Sequence, residues 1–257
     1  MKRYLNSVKY VKNWARFWQF YYTYRKKKGE KNTFTLKLRN NFELEIHPAL
    51  VSAFDEIFLR EVYKEGIKNL PLRPVVLDIG ANVGYFSMYT LAQYPKAEII
   101  AFEPIPINYN LLKKHKEINA LQSLTLSENA LFGKRTSIQI SYSKDALYTV
   151  GASVVSRKYA DATISVEALT IPDIFEKYSL QHCDLLKVDC EGAEYSLLYN
   201  CPDKYFAKIH NIAIEVHNWV DGTGNDIQSL TSFLASKNFV VSSKFNQMLY
   251  CSKNKAA

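Results

Sequence analysis

Acidic side chains, two amides and one imidazole stand where short apolar runs of this chain end. The run Val75-Val76-Leu77-Asp78-Ile79 leads into Gly80-Ala81-Asn82-Val83-Gly84, where Gly80 and Gly84 let the backbone turn tightly and approach a ligand. A dinucleotide fingerprint, Gly-x-Gly-x-x-Gly, needs glycine where Asn82 stands, and the carboxylate of Asp78 repels a pyrophosphate. The same carboxylate suits a cationic ligand that carries an ammonium group. Glu103, directly before Pro104 at the end of a second run, offers two acceptor oxygens to the two hydroxyls of a ribose. Glu128-Asn129-Ala130, at the end of a third, is placed to meet the amino group and ring of an adenine. Three successive tips in this order suit an adenosyl group joined to a positive centre, as in S-adenosylmethionine with its sulfonium and ammonium.

Two further tips carry groups fit for proton transfer. They are Lys187-Val188-Asp189-Cys190-Glu191-Gly192-Ala193-Glu194 and Glu215-Val216-His217-Asn218. Strand alternation puts Lys187 with Asp189 on one side, and Glu215 with His217 on one side of their own strand. If these strands are neighbours, Asp189, Glu191, Glu215 and His217 gather in front of the donor, a density of ionisable groups that packing seldom requires. Alkylating a hydroxyl needs alignment and a proton acceptor. His217 is the expected base, because its ordinary pKa lies nearest neutrality, with Glu215 or Asp189 orienting the ring. The rival arrangement is a divalent metal on Asp189, Glu215 and His217 that acidifies a bound hydroxyl, although no local ligand spacing demands it. Lys187 reads otherwise as a structural partner for a carboxylate, and His47, His115, His182 and His210 as surface or packing residues.

These tips require a particular frame. Apolar runs at Val75 to Ile79, Glu98 to Phe102, Ser123 to Leu126, Asp184 to Val188 and Ile209 to Val216 alternate with helical patterns, from about Tyr85 and over Asn108 to Asn119 among others. Such alternation predicts an α/β fold with a mostly parallel sheet, helices on both faces and ligands beyond the strands' carboxyl ends. Phe239 to Lys244 and Met248 to Cys251 are expected to close the sheet as an antiparallel pair, with Thr136 to Tyr142 as an edge strand. Upstream, Thr33 to Ile46 alternates around Asn40-Asn41 and predicts a hairpin with a two-residue turn. Phe54, Ile57, Phe58 and Val62 give a helix over Phe54 to Tyr63, and Pro71 and Pro74 mark the entry to the main domain. Three segments follow: an arm over 1–31, a hairpin and helix over 32–74, and the catalytic domain over 75–257.

The charge of +8 on 257 residues belongs to the arm, which holds ten Lys/Arg and one acidic residue, whereas the rest holds 23 basic and 24 acidic residues. A neutral body argues against nucleic acid as the partner. The arm interleaves nine aromatic residues between Tyr4 and Tyr24 with cations and ends in Arg25-Lys26-Lys27-Lys28. It reads either as a helix docked through Trp14, Phe17, Trp18 and Tyr21, or as peripheral contact of residues 1–28 with an anionic membrane. Cys183, Cys190, Cys201 and Cys251 have no metal-site spacing, and no run reaches the ~20 apolar residues of a membrane span. With no secretory leader visible, the expected location is the cytoplasm, with contact at the membrane surface as the variation.

The residues together resemble the FkbM-type methyltransferases. The likeness rests on Leu77 to Gly84, Phe102-Glu103-Pro104, Asn129-Ala130-Leu131, Val166-Glu167-Ala168-Leu169, Asp184 to Glu194 and Glu215-Val216-His217, and covers about Phe54 to His217. It implies a class I (Rossmann-like) methyltransferase fold and O-methylation of sugars in polysaccharides or of natural-product hydroxyls. It also implies that Asp78, Gly80, Asn82, Gly84 and Glu103 bind cofactor while Asp189 and Glu191 line the reaction centre. The chain departs from the family pattern at Ala168 and Thr170, where a Thr-Leu-Asp is more usual. A NAD(P)-dependent oxidoreductase is the alternative enzyme, disfavoured by Asn82, and a non-catalytic membrane-surface protein is the alternative from another class. The acceptor pocket is expected in the loops Tyr142 to Thr163 and Asn218 to Asp226, with Ser143, Ser153, Ser156, Arg157 and Asp221 available.

Overall fold

Alternation along each strand divides the side chains of the sheet between two cores. Val76, Ile99, Leu124, Leu185 and Ala213 face one, and Leu77, Ile79, Ile100, Leu186, Val188 and Ile212 face the other. The structure is a computed structural model, described over residues 1–24, 32–142, 162–217, 225–245 and 247–254. The basic run from Arg25 and most of both expected acceptor loops, with Ser143, Ser153, Ser156, Arg157 and Asp221, lie outside those residues.

The arm forms α1 (Lys2–Tyr10) and α2 (Trp14–Tyr24), followed by a hairpin of β1 (Phe34–Lys37) and β2 (Glu43–Ile46). The turn has three residues rather than two. Leu38 and Phe42 pair across Arg39-Asn40-Asn41, and Asn41 takes φ 72°, a left-handed site that Asn tolerates. The expected helix over Phe54 to Tyr63 is shifted toward the N-terminus. A helical segment starts at Pro48, includes α3 (Val51–Phe54), widens into a π-turn over Asp55–Leu59 and ends where Glu61 takes φ 56°. A separate short helix, α4 (Lys64–Ile67), follows.

The main sheet contains β3 (Val75–Ile79), β4 (Glu98–Phe102), β5 (Leu124–Ser127), β9 (Leu185–Val188), β10 (Asn211–Glu215), β11 (Phe239–Lys244) and β12 (Met248–Lys253). Their spatial order is β11-β12-β10-β9-β3-β4-β5, and only β12 runs antiparallel to its neighbours. This is the doubly wound order with one antiparallel strand inserted near an edge, and its switch point lies between β3 and β9. On the first face lie α1, α2, the hairpin, the 48–67 segment, α5 (Tyr85–Gln93) and α6 (Pro106–Ile118). On the second lie α7 (Ile171–Lys177), α8 (Glu194–Tyr199), α9 (Asp203–Phe206) and α10 (Ile227–Ser236).

Two expectations change. Thr136–Tyr142 (β7) is not an edge of the main sheet. It pairs antiparallel with β8 (Ala162–Leu169), which also pairs with the short β6 (Ala130–Leu131), so 162–169 is a strand where the sequence reads as loop. Thr170, one of the two departures from the family pattern, is the N-cap of α7. It donates to Asp173 Oδ2 at 2.7 Å and receives the Asp173 amide at 3.3 Å, a reciprocal cap.

The arm is woven into the first core. Val11 bridges to Leu38, the Lys12 amide donates to Lys37 at 2.7 Å, and Phe17 is fully buried against Phe54. Arg3 pairs with Asp55 at 2.5 Å, and Lys2, Lys9 and Lys64 converge on buried Glu61. All four cysteines are free thiols. No helix among the described residues is long and apolar enough to cross a membrane.

Candidate active site

The register of the sheet decides which side chains meet. Asp78 on β3 stands opposite Lys187 on β9, both fully buried, and their charged groups are 3.3 Å apart. Ser87 Oγ donates to the other oxygen of Asp78 at 2.6 Å. The Lys187 ammonium also donates to the Gly80 carbonyl at 2.7 Å and lies 3.4 Å from Asp189. Burial pushes the Lys187 pKa down, but Asp189 and Asp78 outweigh it and hold it above the ordinary value. The expected meeting of Asp78 with a cationic ligand is therefore corrected. Its carboxylate is used inside the sheet and does not line the cleft.

The cleft opens at the carboxyl ends of β3, β4, β9 and β10, as the switch-point rule predicts. Gly80, Asn82, Glu103, Pro104, Asn129 and Ala130 line one part of it, and Asp189, Glu191, Glu215 and His217 line another. Both glycines turn the chain in the left-handed region, at φ 72° and 86°, and each has a packing task as well. A Cβ on Gly80 would stand 1.7 Å from the Asp189 carbonyl oxygen, so its bareness lets β3 and β9 close together. A Cβ on Gly84 would stand 2.3 Å from Leu112 Cδ1, and Gly84, outside the cleft lining, seats α5 against α6. Glu128 is exposed and also outside the lining, so Asn129 and Ala130 are what this tip presents. Asn129 itself donates to Glu167 at 3.4 Å and receives Ser127 Oγ at 3.0 Å.

Glu103 is buried with its two oxygens pointing into the loop. One accepts the Asn82 amide at 2.8 Å and the other the Ile105 amide at 2.9 Å, with Asn108 at 3.5 Å. Burial outweighs these bonds and pushes its pKa up to about 7.

At the other end, His217 Nδ1 lies 2.8 Å from Glu194 Oε1, and Nε2 lies 3.5 Å from Glu191. Glu194 is fully buried and accepts the Gly192 amide at 2.9 Å and the Cys190 amide at 3.2 Å. It thereby holds a loop whose Glu191 and Gly192 take φ 50° and 105°. Burial lowers the His217 pKa, yet Glu194, Asp189 and Glu191 more than reverse this and raise it to about 9. The argument from an ordinary pKa near neutrality is thus overturned, because the ring is mostly imidazolium at pH 7. Neither Glu215 nor Asp189 is its hydrogen-bonded orienter; Glu194, read only as part of a motif, holds that position. Glu215 is itself raised to about 8 by burial and by the charges of Asp189 and Glu56.

No group of three or more His, Cys, Asp or Glu among the described residues is arranged to hold a metal ion. His115 is a buried packing residue, held between the Glu45 amide and the Val83 carbonyl. His182 and His210 attend Asp184, and His47 caps the turn at Pro48. Glu56, Tyr63, Asn108, Ile138 and Ile140 also line the cleft, and sequence reasoning assigned none of them. Asn108 had a signal, one turn after Glu103-Pro104 at the start of a helix. Tyr63 and Glu56 had none, since both arrive from a segment that packs on the sheet only in three dimensions.

Residues 78–241 match the model of a family described as the methyltransferase FkbM domain. Methyltransferase sdnD of Sordaria araneosa is 30% identical over 190 residues, 63% of this chain and 73% of that protein. The 31-O-demethyl-FK506 methyltransferase FkbM of Streptomyces tacrolimicus is 26% identical over 206 residues, 69% of this chain and 78% of that protein. Among solved structures, methyltransferase FkbM from Methylobacillus flagellatus KT aligns with a TM-score of 0.49 at 16% identity. The alignment covers 79% of this chain and 53% of that one, so the chain spans about half that neighbour's length.

Proposed function

This chain belongs to the FkbM methyltransferase family, and on that premise we propose that it transfers a methyl group from S-adenosylmethionine to a hydroxyl oxygen of a sugar, a glycan or a natural product. Family membership displaces the oxidoreductase and the non-catalytic alternatives. The observation that carries the reading is that Glu103 and His217, the latter held by buried Glu194, face one cleft at the switch point.

The donor set fits the cofactor. Glu103 Oε2 engages only the Asn82 amide and keeps a further lone pair for a ribose hydroxyl, whereas Oε1 takes the Ile105 amide and the more distant Asn108. Ile105, Ala130, Ile138 and Ile140 give the neighbouring walls the apolar surface that an adenine ring needs. When bound, S-adenosylmethionine supplies a methyl group on a cationic sulfur. The chain itself has to hold the acceptor oxygen in line and take its proton. His217 takes that proton in its neutral form, and the carboxylates of Glu194 and Glu191 stabilise the imidazolium that results. With the ring at about 9, the neutral form is about 1% of the population at pH 7, and it is a correspondingly stronger base. The name of one relative, a 31-O-demethyl-FK506 methyltransferase, refers to a methyl on oxygen and supports oxygen as the acceptor atom.

The test is incubation with methyl-labelled S-adenosylmethionine and a panel of glycans and small hydroxylated acceptors, beside calorimetry with S-adenosylhomocysteine and NAD⁺. Binding of the first nucleotide alone and label in an ether linkage is the expected result. Absence of S-adenosylhomocysteine binding, or label on nitrogen or carbon, would overturn the reading.

A further inference from the structure

The matched family segment begins at residue 78, yet part of the cleft wall comes from before it. The 48–67 segment forms a cap on the sheet, and its Tyr63 is almost fully buried, with its ring edge-on to Phe86 at 5.0 Å and the Lys187 ammonium 5.7 Å over it. Its hydroxyl donates to Asp189 Oδ2 at 3.2 Å and lies 3.5 Å from Glu215 Oε2. Glu56, from the π-turn over Asp55–Leu59, lines the same cleft. The cap is fixed on the sheet at this point. Gly66 rests on Ala213 so closely that a Cβ would stand 2.7 Å from that side chain, and the Tyr250 hydroxyl donates to the Val62 carbonyl.

We propose that this cap completes the reaction centre and sets the charge on Glu215 in two opposed ways, the Tyr63 hydroxyl favouring ionisation and the Glu56 carboxylate opposing it. Tyr63 is a positioning residue, which holds two carboxyl groups that like-charge repulsion would separate. The charged groups facing Glu215 are Asp189 and Lys187 from β9, Glu56 from the cap and His217 beyond its own strand. Lys187 and His217 favour its ionised form, while Asp189 and Glu56 resist it. A hydroxyl donating to a carboxylate lowers its pKa, so the two cap residues act with opposite sign.

The inference takes its meaning from the methyl-transfer reading, but its first test needs no turnover. In full-length protein with ¹³C-labelled carboxyl groups, the Glu215 resonance is followed against pH. Tyr63→Phe keeps the ring packing and is expected to move the proton uptake of Glu215 to higher pH by about one unit. Glu56→Gln is expected to move it to lower pH by a similar amount. In methyl transfer, Tyr63→Phe should lower kcat about tenfold with little change in the KM for the donor. Midpoints that stay within about 0.3 units of wild type in folded variants, or that move in the same direction in both, overturn the proposal. Wild-type protein that moves no methyl group would refute the functional reading and leave the titration to decide this one.

Discussion

His217 Nδ1 and Glu194 Oε1 lie 2.8 Å apart, and the carboxylate that holds the ring also closes the loop between β9 and α8 through the Gly192 amide. Glu194 therefore has two tasks that substitution can separate. Glu194→Gln keeps an acceptor for the ring but removes the charge, so the His217 pKa should fall from about 9 toward the ordinary 6.5. If the neutral ring is the base, kcat/KM in wild type rises with pH to a plateau near 9. In the variant the rise should come earlier and the plateau lie about tenfold lower, because the base is weaker. His217→Ala should cost about 10²–10⁴-fold in turnover with donor affinity nearly intact. A wild-type profile flat between pH 6 and 9 would remove His217 as the base.

The same shift has a consequence for stability, whose direction follows from linkage. A histidine raised from 6.5 to about 9 in the folded chain stabilises it fully below 6.5, and that contribution is lost as pH rises through 9. Urea midpoints at pH 6 and pH 9.5 should therefore differ more in wild type than in His217→Ala. Equal differences would mean that the folded ring titrates like an unfolded one.

Glu103 makes cofactor affinity depend on pH. Its pKa stands at about 7 in the free protein, and a ribose hydroxyl donating to its Oε2 would favour the ionised form and lower that value. S-adenosylhomocysteine affinity should be complete above pH 7 and weaken as pH falls, by up to about tenfold per unit. Glu103→Gln should weaken binding about 10²-fold and flatten this dependence. Calorimetry at pH 5.5, 6.5 and 8 measures both effects, and pH-independent affinity in wild type would place the ribose elsewhere.

The sheet and the clustering of Asp189, Glu191, Glu215 and His217 were legible because parallel strands are buried on both faces and read as apolar runs, with chemistry at their ends. The partner assignments were not. Whether Asp78 meets a ligand or Lys187 depends on the register of β3 against β9, which no local pattern encodes. Burial, which moves Glu103 and Glu215 upward, is likewise a property of the assembled fold. The β7–β8 sheet was half visible, since Thr136 to Tyr142 alternates, but its partner strand was read as part of a loop.

Gly80 and Gly84 should differ in cost although both read as loop glycines. Alanine at Gly80 meets the backbone oxygen of Asp189, which cannot yield without parting β3 from β9, and should destabilise by about 3 kcal/mol or more. Alanine at Gly84 meets the end of the flexible Leu112 side chain at φ 86°, and should cost about 1–2 kcal/mol. Urea unfolding of the two variants decides the order. A Gly80→Ala protein as stable as Gly84→Ala would mean that the strand ends are looser than this packing requires.

The arm separates burial from exposure within one helix pair. Phe17 is fully buried against Phe54, so Phe17→Ala should cost about 3–5 kcal/mol. Leu5 and Tyr22 are 58% and 66% exposed, and Leu5→Ser with Tyr22→Ser should change stability by less than about 1 kcal/mol. Contact of this outer face with anionic lipid is proposed from the charge of residues 1–31 and from exposed aromatic groups beside it. The double variant should then sediment several-fold less with vesicles containing phosphatidylglycerol while keeping the wild-type melting temperature. Wild-type protein that binds neutral and anionic vesicles equally, or neither, would leave the arm a purely structural element of the first core.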